Sequence, residues 1–388
     1  MEFNFNTMVK HVDHDKHLSK TELLRLALHR TLTGYSGDGK YLAYLFIGTS
    51  AVPIPVIIDT GSDLTWTQCA PCDNCSAQPT PLFDPAKSTS YVALKCPNKK
   101  CKLYKSDGCN KRLPGTTCTY NRTYGDGSRS RGDLATETFW FEGVPVLRVL
   151  FGCAFHSYGS VVGRGTRILG LGRWDDSIVS QHDVHAFSYC LPTFDSNGTG
   201  RLFMGYGARA PPGAATTRLL RYPGALNSGF YYLRLQGITI NGVPIPINSS
   251  FAFKGRKDGS VGLIIDSGTT ITQLERITFE AVGQELTSQI GLQPTDGDLD
   301  LCYELPCADV GGIQFSKIEF VFEGAALELP SQNYFLIEEK NGMVCLMMVA
   351  TDSPLSIFGN FQPQNTLVVY YLTNEELSFV PYTQCDDM

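Results

Sequence analysis

The sequence predicts a mostly β protein, with a few short helices, built as two lobes. Short apolar runs rich in Val, Ile, Tyr and Phe are broken repeatedly by Gly, Pro, Asn and Asp, the pattern of strands joined by tight turns. At 388 residues the chain exceeds what one hydrophobic core usually serves. And one phrase is written twice: VIIDTGSDLTW at residues 56–66 returns as LIIDSGTTITQL at residues 263–274.

Residues 1–34 stand apart. They hold four of the seven histidines (His11, His14, His17, His29) and the basic residues Lys10, Lys16, Lys20, Arg25 and Arg30. Ser19-Lys20-Thr21-Glu22 has the form of a capping box, and Leu23, Leu24 and Leu28 would then share one helix face, giving an amphipathic segment that docks onto another surface. Strand-type patterning begins at YLAYLFIG, from residue 41. The most linker-like stretch, GARAPPGAATT at 207–217, places a lobe boundary near 210, so that 35–210 and 211–388 each carry one Asp motif. Helical spacing of Phe279, Val282, Leu286 and Ile290 predicts a helix over 276–290. After each Asp motif comes an apolar-apolar-Gly triplet, Ile168-Leu169-Gly170 and Ile357-Phe358-Gly359, as expected of two lobes made to one plan.

A net charge of −6 argues against nucleic acid or an anionic membrane surface as partner. No run of eighteen apolar residues occurs, so no helical membrane span is expected. A monomer is the default expectation. Thirteen cysteines, seven of them crowded between Cys69 and Cys118, point to disulfides and a secretory route. A zinc site on the CxxC and CxxxxC spacings is the competing reading, but no histidine lies nearby, and neither a metal nor a cofactor is expected. Of the sequons at Asn74, Asn121, Asn197 and Asn248, the last two are the preferred glycan carriers, because Asn74 sits among cysteines where a glycan would crowd. The opening MEFNFNTMVK lacks a basic flank followed by an apolar core, so no signal peptide is visible. Either the leader is already removed or the start is mis-set.

The repeated triplet carries the chemistry. An Asp at a strand end followed by a hydroxyl residue and Gly sits in a tight turn, where Gly lets backbone N–H groups approach the carboxylate. Hydroxyls at Thr60 and Ser267, and at Ser62 and Thr269, can fix turn and carboxylate through local hydrogen bonds. One such turn is usually structural. Two copies, each behind paired aliphatic residues and each in its own half, arise by accident on the order of a few times per thousand chains. If a pseudo-two-fold axis relates the lobes, Asp59 and Asp266 meet at it, cannot both be ionised, and hold one proton between them. The charged member takes a proton from water while the protonated member donates to a carbonyl oxygen, which suits amide hydrolysis without metal or covalent intermediate.

DTGSDLTWTQCAPC at 59–72, IIDSGTTIT at 264–272, CTYNRTYGDGS at 118–128, ILGLGR at 168–173, FSYCL at 187–191, IFGNFQPQN at 357–365 and LSFVPYTQC at 377–385 together resemble the pepsin-type aspartic proteases, and more closely their plant nepenthesin-like branch. The resemblance runs from about residue 40 to the end. It implies a bilobal pepsin-like acid protease fold with a cleft between lobes, and a peptide or protein substrate bound extended. Asp59 and Asp266 are then the catalytic pair, Gly61 and Gly268 complete their turns, Tyr124 is the flap tyrosine and Trp66 its partner beneath. Tyr124-Gly125-Asp126-Gly127 reads independently as a hairpin tip of type I′.

The resemblance also implies bridges Cys69–Cys72, Cys75–Cys153, Cys96–Cys118, Cys101–Cys109, Cys190–Cys385 and Cys302–Cys345, with Cys307 left over. Each such bridge typically contributes about 2–4 kcal/mol. Residues 9–30 resemble the prosegments of the same branch, so the chain is expected to be a zymogen whose own prosegment covers the cleft until acid loosens it. The rival is a catalytically inert member of the fold that inhibits or binds cell-wall hydrolases. One departure stands out: GLGRWDDSIVSQ at 170–181 puts Trp174, Asp175 and Asp176 where the family commonly carries small residues. Those two aspartates read either as favourable first-turn residues of a surface helix or as part of the cleft lining.

Overall fold

The computed structural model describes residues 28–35, 39–381 and Cys385, apart from short segments of which 102–108, 110–114, 160–166, 223–228, 247–255 and 306–314 are the longest. Residues 1–27, with the capping box 19–22, Leu23 and Leu24, and Asn197, Asn248 and Cys307 lie outside the described residues. The other two sequon asparagines are both exposed, Asn74 between Cys72 and Cys75, and Asn121 on the strand Thr119–Thr123.

The protein is mostly β, and the same small topology is built twice. In the first half, strand Val52–Asp59 runs parallel to Ile168–Gly170, with Asp59 opposite Gly170. Strand Trp66–Gln68 then meets Ile168 antiparallel and Val144–Tyr158 parallel. In the second half, Gly262–Ile265 runs parallel to Leu355–Phe358, and Thr272–Glu275 meets Ile357 antiparallel and Met348–Thr351 parallel. Both aspartate strands are buried on both faces, which is why they read as unbroken aliphatic runs rather than as alternation.

The apolar-apolar-Gly triplets need their glycines for a spatial reason. A Cβ on Gly170 would lie 2.1 Å from the Asp63 carbonyl oxygen, and one on Gly359 would lie 2.7 Å from that of Thr270. Each glycine therefore lets its strand pass under the turn that follows the aspartate.

A shared sheet joins the halves. Strand Ala186–Cys190 pairs with Thr366–Tyr371, Thr366–Tyr371 with Glu376–Pro381, and Glu376–Pro381 with Ala215–Arg218. The predicted linker thus ends in a strand of this sheet. On its other side Ala186–Cys190 pairs with Gly200–Met204, which pairs with Leu28–Tyr35. Leu28, expected on a helix face, therefore begins a strand: its backbone sits opposite Met204, and sheet hydrogen bonding overrides the local helical pattern. That strand straddles the 34/35 boundary and also pairs with Tyr41–Ile47. The predicted helix forms over Arg276–Ile290, burying Phe279, Val282 and Leu286 and ending at Gly291 in the left-handed region, φ +73°.

Among the described residues six disulfides form, and four differ from the implied pairs. Cys69 bonds Cys153 and Cys72 bonds Cys75. The parallel pairing that sets Thr67 opposite Cys153, with the Cys69 N–H donating to the Ala154 carbonyl at 2.8 Å, brings Cα69 and Cα153 to 5.4 Å, within bridging range. The Asp73 and Asn74 amides both donate to the Phe155 carbonyl, folding Cys72 and Cys75 back on each other. In the second cluster Cys96 bonds Cys109 and Cys101 bonds Cys118, the four sulfurs lying within 4.8 Å of one another in one knot. Cys190–Cys385 and Cys302–Cys345 form as implied.

Proteolysis without reduction, followed by mass spectrometry, should recover a peptide carrying residue 69 joined to one carrying residue 153. A peptide joining 75 to 153 would restore the other pairing.

Candidate active site

The two aspartate turns come together between the halves. The Gly61 N–H donates to Asp59 Oδ1 at 2.9 Å and the Ser62 hydroxyl to Oδ2. The Gly268 N–H donates to Asp266 Oδ1 at 2.8 Å and the Thr269 hydroxyl to Oδ2 at 2.7 Å. Ser62 and Thr269 thus make the local bonds that the sequence predicted. Thr60 and Ser267 do something else. The Thr60 N–H donates to Ser267 Oγ at 3.1 Å, and the Ser267 N–H to Thr60 Oγ1 at 2.9 Å. The Ser267 hydroxyl then donates onward to the Ile58 carbonyl at 2.9 Å. Each hydroxyl reaches into the opposite half, a correction to the expected local role: with both residues completely buried and facing each other, the partner turn is the nearest source of donors and acceptors.

This cross-bracing presses the carboxylates together. A Cβ on Gly61 would lie 2.4 Å from Asp266 Oδ2, and one on Gly268 would lie 2.4 Å from Asp59 Oδ1. Only glycine allows each turn so close to the other's carboxylate. Both aspartates are nearly buried, 7% and 8% exposed. Burial first, and the neighbouring Asp266 charge second, hold the Asp59 carboxyl well above the usual range, although the Ser62 hydrogen bond pulls the other way. The pair therefore retains a proton in acid.

Two further threonines complete the repeat. Thr65 Oγ1 accepts from the Gly170 N–H at 3.2 Å, and Thr272 Oγ1 accepts from the Gly359 N–H at 2.9 Å. Sequence reasoning passed over both. Laying DTGSDLT on DSGTTIT would have found them, since each falls at the same place after its Asp.

The flap hairpin stands beside the pair. Strand Thr119–Thr123 pairs with Arg129–Phe141, Thr123 opposite Arg129. The Gly127 N–H donates to the Tyr124 carbonyl at 3.0 Å and the Tyr124 N–H to the Ser128 carbonyl at 2.9 Å. Only Gly127 of the loop takes positive φ, +80°. The tip is therefore a type I turn with glycine in the following left-handed position, not type I′, because Asp126 uses its carboxylate to accept from the Ser128 N–H at 2.9 Å and hydroxyl at 2.6 Å. The exposed Gly125 lies between. Trp66 Nε1 donates to the Tyr124 hydroxyl at 2.6 Å, their rings 6.4 Å apart. Burial drives the Tyr124 phenol well above its ordinary pKa, so it stays a neutral donor.

The departure at Trp174-Asp175-Asp176 splits. Trp174 and Asp175 are exposed, but Asp176 is 2% exposed and lies before the helix N-cap Ser177, so it is not a first-turn surface residue. Its carboxylate faces the flap strand through Arg122 Nη2 at 3.3 Å.

Family models described as "Xylanase inhibitor N-terminal" and "Xylanase inhibitor C-terminal" match residues 41–206 and 230–381. Aspartic proteinase nepenthesin-1 of Nepenthes gracilis is 38% identical, covering 98% of this chain and 90% of the relative. The nepenthesin-2 of the same plant is 40% identical, covering 97% and 89%. The chain belongs to the nepenthesin-like branch of the pepsin-type aspartic proteases. Aspartyl protease family protein 2 of Arabidopsis thaliana, 35% identical over 89% of this chain and 71% of its own, is a further member. Among solved structures, edgp (TM-score 0.71, 19% identity, 92% of this chain and 97% of that one) and the soybean basic 7S globulin (0.71, 18%, 93% and 98%) share the bilobal fold.

Two expectations follow for this nepenthesin-like chain. Ser267→Ala strands the Thr60 amide and the Ile58 carbonyl in a dry site, at about 1–3 kcal/mol for each group left unpaired, and the urea midpoint should fall accordingly.

The second concerns pH. The Asp59, Asp63, Asp133 and Asp176 carboxyls are all raised, chiefly by burial, Asp63 from 3.8 to about 7. A raised folded pKa means that the native chain binds protons more tightly than the unfolded one. Its stabilisation is complete below the unfolded value and is lost as pH rises through the folded one. Asp352 shifts the other way beside Arg276, but it is exposed and screened. Tm should therefore decline from about pH 4 to about pH 7, less steeply in Asp63→Asn, and a Tm that rises over that interval would contradict the assignment.

Proposed function

We propose that the chain is an endopeptidase that hydrolyses peptide bonds in acid with a water activated between Asp59 and Asp266. The observation that carries this reading is the contact between the two carboxylates, each hydrogen-bonded by its own glycine amide and side-chain hydroxyl, with Asp59 held protonated by burial and by its neighbour. In this arrangement the ionised member removes a proton from water as it attacks the scissile carbonyl carbon. The protonated member gives its proton to the carbonyl oxygen, so charge does not accumulate on the tetrahedral intermediate. The proton taken from water then passes to the leaving amide nitrogen, and as the C–N bond breaks a hydroxyl of the intermediate gives its proton back to the pair, restoring the shared proton.

The flap supports an extended substrate. Tyr124, held by Trp66, closes over the dyad, and the hairpin backbone offers strand-type hydrogen bonds. The segment before residue 35 is the prosegment in this reading, and the enzyme works as a monomer outside the cytosol, where six disulfides persist.

Cleavage of a denatured protein in acid should vanish in both Asp59→Asn and Asp266→Asn, by on the order of a thousandfold or more if each carboxylate supplies acid–base catalysis. A statine-type mimic should inhibit the parent chain. Equal activity in the mutants would dispose of the dyad. A well-folded parent that cleaves nothing yet binds a cell-wall hydrolase would instead favour an inert binder.

A further inference from the structure

Asp63 follows the catalytic turn directly, and its carboxylate is walled in. A Cβ on Gly172 would lie 2.3 Å from Oδ1, and one on Gly229 would lie 2.5 Å from Oδ2. The Trp174 backbone N–H donates to Oδ1 at 2.8 Å. The segment carrying that amide is firmly held: the Gly172 N–H donates to the Ser62 carbonyl, the Arg173 N–H to the Gly229 carbonyl, and the Gln181 side chain to the Asp176 carbonyl at 2.7 Å. At its end the buried Asp176 pairs through Oδ2 with Arg122, while Oδ1 has no hydrogen-bond partner among the described residues.

Arg122 lies on the strand Thr119–Thr123, two positions before Tyr124. The strand that leads into the flap tip is thus tied to the loop behind the catalytic turn.

The Arg122 guanidinium thus pairs with the buried Asp176, and its charge also reaches the partly buried Asp63. Asp175 adds an exposed negative charge on the same loop, and the Tyr231 phenol stands on the neighbouring strand. Tyr120 and Tyr124 face Arg122 from the flap. Arg173, the other cation of the loop, is committed elsewhere, to Glu375 at 3.1 Å and the Leu220 carbonyl at 3.0 Å. Burial first and the Asp176 charge second raise Asp63 to about 7, and burial raises Asp176 despite Arg122. Both carboxylates ionised would set two negative charges against one half-exposed guanidinium, which favours a proton on the pair.

We propose that Asp63, Asp176 and Arg122 form a positioning clasp for the flap, in which a proton kept on Asp63 leaves an ionised Asp176 to hold Arg122 and thereby Tyr124 over the cleft. Loss of that proton sets the two carboxylates against each other and pushes the 173–177 loop from the turn. Protonation of Asp176 in stronger acid releases Arg122. Flap closure is therefore favoured between the two titrations. The role in substrate affinity rests on the protease reading above, whereas the clasp itself does not.

The test follows hydrogen–deuterium exchange of residues 119–131, corrected for intrinsic rates, across the acid to neutral range, alongside peptide hydrolysis. Asp176→Asn and Arg122→Gln should each speed flap exchange about fivefold in mild acid, as expected of one partly exposed ion pair, and should raise KM more than they lower kcat. The double variant should do no worse than either single one. Asp63→Asn, a fixed stand-in for the protonated form, should keep at neutral pH the protection that the parent loses. Arg122→Gln alters a half-exposed side chain, so it remains informative if Asp176→Asn folds poorly. Parent-like flap exchange in Arg122→Gln, or fully additive effects in the double variant, would overturn the clasp. Altered flap exchange in a chain that cleaves no peptide would uphold the clasp and sink the protease reading.

Discussion

The structure depends on one reciprocal arrangement: two buried hydroxyl residues, Thr60 and Ser267, each satisfying the backbone of the other's turn. A buried amide left unpaired is expensive, so neither turn can drift from its partner without losing two hydrogen bonds at once. That constraint fixes the separation of Asp59 and Asp266 more firmly than any contact between the carboxylates, which repel when both are charged. The shared strands behind the cleft hold the halves in the coarse sense, and the crossed hydroxyls set the fine spacing on which proton sharing depends.

Much of this was legible from residues alone. The doubled Asp-hydroxyl-Gly phrase gave the two halves and the site, because a carboxylate turn of that kind has few other sequences available to it. The helix Arg276–Ile290 was readable from its apolar spacing. What local patterning could not supply were facts that depend on the third dimension. The crossing of Thr60 and Ser267 looks identical in sequence to a local turn bond, and the burial of Asp176 looks like an ordinary charged loop. Disulfide partners are equally hidden, since in the Cys96–Cys118 knot four sulfurs come within bonding reach of several others. Leu28 reads as helical by spacing yet begins a strand, because the sheet edge it meets lies in another part of the chain.

Electrostatics links fold to working conditions. Placing several carboxyls where water is scarce makes the native state a proton acceptor, so the environment that suits the proposed chemistry is also the one that favours the folded chain. The Asp59 site and the Asp63 site lie at the two ends of one short turn, and at each the charge of a second aspartate, Asp266 or Asp176, raises the first.

The strand Leu28–Tyr35 carries a last implication. It is wedged between Gly200–Met204 and Tyr41–Ile47, bonded on both sides. A maturing protease that severed its chain at Tyr35 and discarded everything upstream would leave two raw ladders of amide and carbonyl groups facing an empty slot. If the chain is matured as proposed, the scissor point falls ahead of Leu28, or some other stretch of polypeptide slides into the gap as the segment before residue 35 leaves.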